Sequence, residues 1–130
     1  MAASHADAFI AALRRLEEHG DVEAMVTLFA EDAELSSLTD AAPHHGREGA
    51  RRYWEAYRDS FQEVRSEFRN VVSGDDVVVL EWTSHGRGAE GRAFEYDGVS
   101  VVEFEDGRIR RFRAYFDPSD LQAALSRARA

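Results

Sequence analysis

The chain has 130 residues, a formal net charge of −9 and a hydrophobic fraction of 44% that includes eight Phe, four Tyr and two Trp. This size and content predict one folded domain, spanning residues 1–130, and exclude a disordered chain. The sequence contains neither cysteine nor lysine, which excludes disulfides, thiolate nucleophiles, Schiff-base chemistry and a P-loop. The acidic balance argues against nucleic acid and anionic membranes as partners. The absence of a long apolar run and of a signal peptide predicts a cytoplasmic protein.

Helical periodicity dominates the first half of the chain. Apolar residues keep helical spacing between Ser4 and Gly20, which are residue types suited to begin and end a helix. Asp21 is suited to cap a second short helix, and the spacing extends its buried side as far as Phe29. After a turn-rich stretch over 35–46, a third helix is predicted by one apolar stripe, formed by Ala50, Tyr53, Trp54, Tyr57 and Phe61.

The period changes to two from residue 64 onward, which predicts strands over 65–72, 77–85, 92–105 and 108–116. Segments 74–76 and 106–107 are typical of hairpin turns, and the Asp-Gly pair of the second is the stronger signal. Segment 118–127 predicts a short C-terminal helix. Helices followed by an antiparallel meander predict an α+β fold with the helices on one face of a curved sheet.

Several segments resemble SnoaL-like proteins, members of the ketosteroid-isomerase-like and nuclear-transport-factor-like superfamily. They are GDVEAM at 20–25, LFAEDA at 28–33, GREG at 46–49, DGRI at 106–109 and RAYFD at 113–117. The match runs in register over residues 6–125. The resemblance implies a cone-shaped α+β barrel in which a curved antiparallel sheet wraps three N-terminal helices around an apolar pocket. It also implies a homodimer and chemistry without a cofactor.

Departures from the family's known sites limit the chemistry that the resemblance implies. The three functional positions of the ketosteroid isomerases fall on Leu13, Ser37 and Val102, so steroid isomerisation is not expected. SnoaL-like cyclases place an acid/base Asp in a Tyr-x-Asp context at the end of the last long strand, which corresponds here to Asp117. An Asp followed by Pro is equally typical of a helix N-cap, so both roles of Asp117 stay open.

Two adjacent histidines, His44 and His45, precede the third helix, where the resemblance places the mouth of the pocket. A neutral histidine there is a candidate general base or hydrogen-bond partner, and His45 is selected as the second catalytic candidate. Adjacent residues of an extended segment point in different directions, so we expect no shared metal ion, and no other spacing predicts a metal site. A solvated pair of loop histidines is the alternative.

Four aromatic residues, Tyr53, Trp54, Tyr57 and Trp82, are candidates to line the ligand pocket, with core packing as the alternative. Tyr57 and Trp82 need hydrogen-bond partners if they are buried. Two further candidates, Arg113 and Tyr115, share their strand parity with Ile109 and Asp117. Arg113 is therefore expected to pair with Asp117 or a substrate carboxylate, or to form an ion pair across the sheet.

Two functions remain open at this point. The first is a small cofactor-independent enzyme that carries out cyclisation, isomerisation or hydration on an apolar small molecule, as an isomerase, cyclase or hydrolase. The second is a non-catalytic module that binds a small ligand or another protein in the same pocket. Apolar residues on both faces of the last strand favour a twofold homodimer in which a partner subunit covers the outer face.

Overall fold

The computed structural model describes residues 4–38, 40–88 and 91–117. Its helices are α1 (His5–His19), α2 (Val22–Val26) and α3 (Gly46–Asp59), and its strands are β1 (Phe29–Ser37), β2 (His44–His45), β3 (Glu63–Ser73), β4 (Val77–Arg87), β5 (Ala93–Glu105) and β6 (Arg108–Phe116). This confirms the predicted α+β class. None of the helices in these ranges is long and apolar enough to cross a membrane. The predicted helix over 118–127 lies outside the described residues.

Side-chain caps fix the predicted starts of the first two helices. The Ser4 hydroxyl oxygen accepts a hydrogen bond from the Asp7 N–H at 3.0 Å, and Asp21 Oδ1 accepts one from the Ala24 N–H at 3.1 Å. Gly20 ends α1 with a φ of 69°, in the left-handed region that favours glycine. The helical hairpin is therefore confirmed, although α2 is shorter than predicted because Phe29 already begins β1.

The six strands form one open, curved sheet in the order β2-β1-β6-β5-β4-β3. The closed barrel is therefore a wrong prediction, because β2 and β3 lie at opposite edges and do not pair in the described part of the chain. Strand β1 is not predicted by the sequence; it pairs in parallel with β6 and sets Leu35 opposite Phe112. Alanine and acidic residues dominate β1 and have low strand propensity, and the pairing partner is distant in sequence.

A β-bulge in β6 overturns the parity that grouped Arg113 and Tyr115 with Ile109. Glu103 of β5 lies opposite Arg111, and the next residue of β5 lies opposite Ile109, so Arg110 is an extra residue in the strand. Ile109 is consequently fully buried on the inner face, whereas Tyr115 is 42% exposed on the outer one. Sequence alternation alone gives no sign of the insertion.

Gly98 makes room for Trp82, its direct partner across the β4–β5 ladder. A Cβ atom at position 98 would overlap two ring carbons of Trp82 and lie 2.8 Å from the Tyr115 carbonyl oxygen. Trp82 itself is buried on the inner face with Val78 and Leu80, as its parity predicted. The missing side chain of Gly98 therefore sets the position of the indole.

Gly98→Ala is expected to lower the free energy of unfolding by about 1–3 kcal/mol, since either the indole or the backbone must shift. Gly74→Ala is the matched control. A Cβ atom there meets only the Val77 carbonyl oxygen at 3.4 Å, so we expect a change of about 0.5 kcal/mol or less. Urea unfolding followed by tryptophan fluorescence measures both. Equal stability of Gly98→Ala and the parent protein would contradict the assigned contact.

Candidate functional site

A cavity of about 260 Å³ lies between the inner face of the sheet and helices α1 and α3. Half of its lining residues are aromatic: Phe9, Tyr53, Trp54, Tyr57, Phe61, Phe68, Trp82, Tyr96, Phe112 and Phe116. Serines and one Asp–His pair supply most of its remaining polar groups, and no arginine is among the described residues that line it. A concave, mostly apolar wall with a few polar groups is typical of small-molecule sites.

The four aromatic candidates from the sequence all lie in this wall. Tyr57 donates a hydrogen bond from its hydroxyl to Glu17 Oε2 at 2.8 Å, and Trp82 donates one from Nε1 to Ser100 Oγ at 2.9 Å. Both therefore have the partners that burial was expected to require. Tyr53 and Trp54 pack edge-on against each other from consecutive positions of α3, with ring centroids 4.9 Å apart. Their role in ligand binding stays a prediction.

His44 forms a titratable pair with Asp40 in the cavity wall. The two side chains are 29% and 22% exposed, and His44 Nε2 lies 3.6 Å from Asp40 Oδ1. Asp40 Oδ2 accepts hydrogen bonds from the Ser37 N–H at 3.0 Å and the Ser37 hydroxyl at 3.2 Å. The imidazole meets the Tyr53 ring edge-on at 5.7 Å. Contacts on both sides thus position the imidazole of His44 against the aromatic wall.

Burial raises the pKa of Tyr53 above its ordinary value, and the negative charge of Asp40 raises it further, while a hydrogen bond with Ser37 opposes both effects. Burial is also the main cause of the raised pKa of Tyr96. Neutral phenols therefore face the cavity over the whole physiological pH range.

His45 lies on the other side of the two-residue strand β2. It is exposed, occupies the N-cap position of α3 without a side-chain cap, and is not among the described residues that line the cavity. The structure thus brings His44 into the wall and leaves the selected His45 outside, so a catalytic role of His45 stays a prediction without geometric support. Among the described residues, no group of three or more His, Asp or Glu side chains is arranged to hold a metal ion.

Glu17 is a buried carboxylate that the sequence analysis did not select. Its Oε1 accepts a hydrogen bond from the Ser66 N–H at 3.0 Å, and its Oε2 accepts them from the Ser66 hydroxyl at 2.7 Å and the Tyr57 hydroxyl. Ser66 Oγ lies 2.7 Å from Ser84 Oγ, and the Arg14 guanidinium donates to the Ser66 carbonyl oxygen at 2.9 Å. Burial and the nearby charge of Glu17 raise the pKa of Tyr57. A chain of hydrogen bonds thus links a buried carboxylate to the cavity.

Three candidates at the end of β6 do not line the cavity in the described part of the chain. Arg113 donates to Glu103 at 2.7 Å and to the Tyr115 hydroxyl at 3.0 Å, so it forms the ion pair across the sheet that was one of its three predicted roles. Tyr115 and Asp117 are exposed. The helix that Asp117 was expected to cap lies outside the described residues, and its acid/base role stays a prediction.

An open, curved sheet that holds three N-terminal helices and a cavity on its inner face defines the nuclear-transport-factor-like, ketosteroid-isomerase-like class of α+β proteins. Within this class the chain belongs to the SnoaL-like domain family, whose model matches residues 6–112. No curated protein matches the sequence.

Solved structures share the fold at low sequence identity. A protein from Rhodopseudomonas palustris, named provisionally as an isomerase, superposes with a TM-score of 0.85 at 16% identity, over 97% of this chain and 98% of its own. TerC, co-crystallised with polyporic acid, gives a TM-score of 0.80 at 17% identity, over 94% and 98%. A provisionally named SnoaL-like polyketide cyclase from Jannaschia sp. CCS1 gives 0.75 at 15% identity, over 90% of each chain. At these identities the likeness shows the fold alone.

Proposed function

We propose that the protein is a cofactor-independent enzyme that carries out acid/base chemistry on an apolar, aromatic small molecule bound in the cavity. The observation that carries this proposal is the half-buried Asp40–His44 pair, with 3.6 Å between its nearest atoms, in a wall that is otherwise mainly aromatic. Names of structural neighbours as isomerase and polyketide cyclase are in keeping with this class of reaction.

The chemistry follows from the residue types. A neutral imidazole can accept a proton from a carbon next to a carbonyl group and return it at another position, which is the elementary step of isomerisation and of aldol-type cyclisation. Asp40 accepts two hydrogen bonds from Ser37, and its carboxylate, 3.6 Å from His44 Nε2, stabilises the positive charge that the imidazole gains when it takes up the proton. Aromatic walls exclude water and bind the ligand through its apolar surface.

Deuterium exchange tests the proposal without knowledge of the natural substrate. Purified protein is incubated in D₂O with 2-tetralone, phenylacetone or 6-hydroxy-2-tetralone, all aromatic ketones with exchangeable α-hydrogens, and NMR follows the loss of the α-proton signals. We expect exchange about 10²-fold or more faster than in buffer with at least one ketone. Background exchange with all three would overturn the enzyme proposal, and binding without exchange would favour the non-catalytic ligand-binding module.

Asp117→Asn separates the predicted acid/base role of Asp117 from the role proposed here for His44. Because Asp117 is exposed and lies outside the described cavity wall, we expect the exchange rate to stay within about twofold of the parent rate. Asn caps helices about as well as Asp, so stability should also be retained, whereas Asp117→Ala should cost about 1 kcal/mol if the residue is a cap. A 10²-fold slower exchange in the Asn variant would identify Asp117 as the acid/base group.

We further propose that the protein forms a homodimer through the outer face of the sheet. Register places Val72, Val79 and Val101 side by side on this face, and Val99 lies opposite Tyr115 in the adjoining row. Val72 and Tyr115 are 61% and 42% exposed in the single chain, which is typical of a surface that a partner covers.

Light scattering at micromolar concentration should give the mass of a dimer, and Val101→Asp should give a monomer that keeps its far-ultraviolet circular dichroism. Glu105→Gln, at an exposed end of the same strand, is the control and should leave the dimer intact. A monomeric parent protein would contradict this proposal.

A further inference from the structure

A chain of hydrogen bonds runs from Glu17 to the cavity. The number of hydroxyl hydrogens in it determines which group donates and which accepts in each bond. A carboxylate only accepts, so the hydroxyl groups of Tyr57 and Ser66 both donate to Glu17 Oε2, at 2.8 and 2.7 Å. Each hydroxyl carries one hydrogen. Ser66 donates its only hydroxyl hydrogen to Glu17. Ser84 is therefore the donor in the 2.7 Å contact between the two serine oxygens.

Ser84 and Tyr57 both line the cavity. Each hydroxyl already donates its single hydrogen within the chain of hydrogen bonds, so each has only lone pairs left with which to bind a ligand. An unmatched acceptor in such an apolar wall is costly, whereas one that receives a hydrogen bond is stabilising. This part of the wall thus selects a ligand group that donates.

Strand order sets this acceptor group apart from the Asp40–His44 pair. Ser66 belongs to β3 and Ser84 to the neighbouring β4, while His44 belongs to β2 at the opposite edge of the sheet. Ring contacts run from His44 to Tyr53, from Tyr53 to Trp54 and from Trp54 to Tyr57, so aromatic rings separate the two polar groups. A ligand that contacts both groups therefore carries two functional groups on an apolar body, and an aromatic body suits these rings best.

We propose that Ser84 and Tyr57, polarised by the buried carboxylate of Glu17, form a binding site for a hydroxyl group of the substrate, which makes the substrate class a hydroxylated aromatic compound. This proposal rests on the proposed function, because it takes the cavity to be the substrate site. Glu17 acts here as a positioning residue: it sets the direction of the chain of hydrogen bonds and does not itself touch the ligand. A carboxylate that served only to pair with the Ser66 N–H would leave ligand preference unchanged when replaced.

The test compares the dissociation constants of 6-hydroxy-2-tetralone and 6-methoxy-2-tetralone, measured by tryptophan fluorescence. The two ketones differ in the donor hydrogen, which the methyl ether lacks. We expect the parent protein to bind the hydroxyl compound about tenfold more tightly, the value of one good hydrogen bond. The difference in size acts equally on every variant, so the change in this ratio isolates the hydrogen bond.

Glu17→Gln should abolish or invert the preference, because the amide nitrogen donates to Tyr57 and Ser66 and reverses the chain. Ser84→Ala should abolish it too, and this smaller change keeps the test decisive if the Gln variant does not fold. Glu18→Gln is the charge-matched control, since the neighbouring Glu18 is exposed and pairs with Arg65 outside the cavity wall. Its ratio should equal that of the parent.

Each outcome decides between the two proposals. Equal binding of the two ketones by the parent, or an unchanged ratio in both Glu17→Gln and Ser84→Ala, overturns the hydroxyl site and leaves the enzyme proposal standing. A hydroxyl preference without deuterium exchange overturns the enzyme proposal and supports the hydroxyl site. Failure of the parent to bind either ketone overturns the hydroxyl site, and exchange of 2-tetralone or phenylacetone then decides the enzyme proposal.

Discussion

His44→Gln is expected to slow the exchange of the α-hydrogens of a bound ketone by about 10²-fold or more, while His45→Gln leaves the rate within about twofold. Glutamine has nearly the shape of histidine and keeps hydrogen-bonding capacity, but it does not accept a proton near neutral pH. The two positions are adjacent in β2, and only His44 lies in the cavity wall. The two variants therefore each remove one histidine from the same short strand, one inside the cavity wall and one outside it.

The measurement is kcat and KM for the best ketone of the exchange assay, together with its dissociation constant by fluorescence. We expect the loss in kcat with little change in ketone affinity, because His44 contributes one edge of a large aromatic wall. Asp40→Asn should give a smaller loss, since it removes the negative charge beside the imidazole and keeps the imidazole itself. Equal losses in the two histidine variants would refute the role of His44.

Alkaline unfolding is the second large effect that the structure predicts. Burial raises the pKa values of Tyr53, Tyr57 and Tyr96 above the ordinary value near 10. Below about pH 9 all three are protonated in both the folded and the unfolded state, so they contribute no pH dependence. Above pH 10 the unfolded chain releases these protons and the folded protein retains them, so the free energy of unfolding falls as pH rises.

Each tyrosine contributes a slope of up to about 1.4 kcal/mol per pH unit, so three together approach about 4 kcal/mol per pH unit. A domain with about 5–15 kcal/mol of stability is then expected to unfold within a few pH units above 10. Urea titrations between pH 8 and 11 measure the slope. Tyr96→Phe and the double variant Tyr57→Phe/Tyr96→Phe should lower it stepwise, and a stability independent of pH up to 11 would contradict the burial of these phenols.

Local patterns predicted most of the fold. The caps Ser4 and Asp21 and the stop at Gly20 act within a few residues, and each forms the contact that its residue type indicates. The Asp106–Gly107 turn is also local: both residues have positive φ, at 52° and 80°, as a tight hairpin of this kind requires. Resemblance to a family supplied the remaining information, namely how the helices sit on the sheet.

Features that depend on distant partners were not predictable. Strand β1 exists because β6 pairs with it, and the bulge at Arg110 depends on the register with β5. The Asp40–His44 pair is a different case, because the two residues are only four apart in sequence. Asp40 lies in an irregular segment before β2, where no periodic pattern predicts which side chains meet.

Part of the site did leave a signal in the sequence. Ser66 and Ser84 stand at inward-facing positions next to apolar residues of the same strand face, and Glu17 adjoins Leu16 on the buried side of α1. A polar residue in a core position needs hydrogen-bond partners. Three polar residues at such positions therefore indicate a buried group of hydrogen-bonded side chains.

The contacts of α1 with Ser66 have a consequence for how the protein meets other chains. Ser66 lies in β3, an edge strand, where a free N–H and C=O would offer a template for a foreign strand. Glu17 accepts a hydrogen bond from this N–H, and Arg14 donates one to this carbonyl oxygen. Two side chains of α1 thus satisfy the backbone groups that a further strand would otherwise bind. Extension of the sheet by an added strand is blocked at this point. Arg14→Ala and Glu17→Ala should therefore make the protein more prone to aggregate through β3, independently of any effect on the cavity.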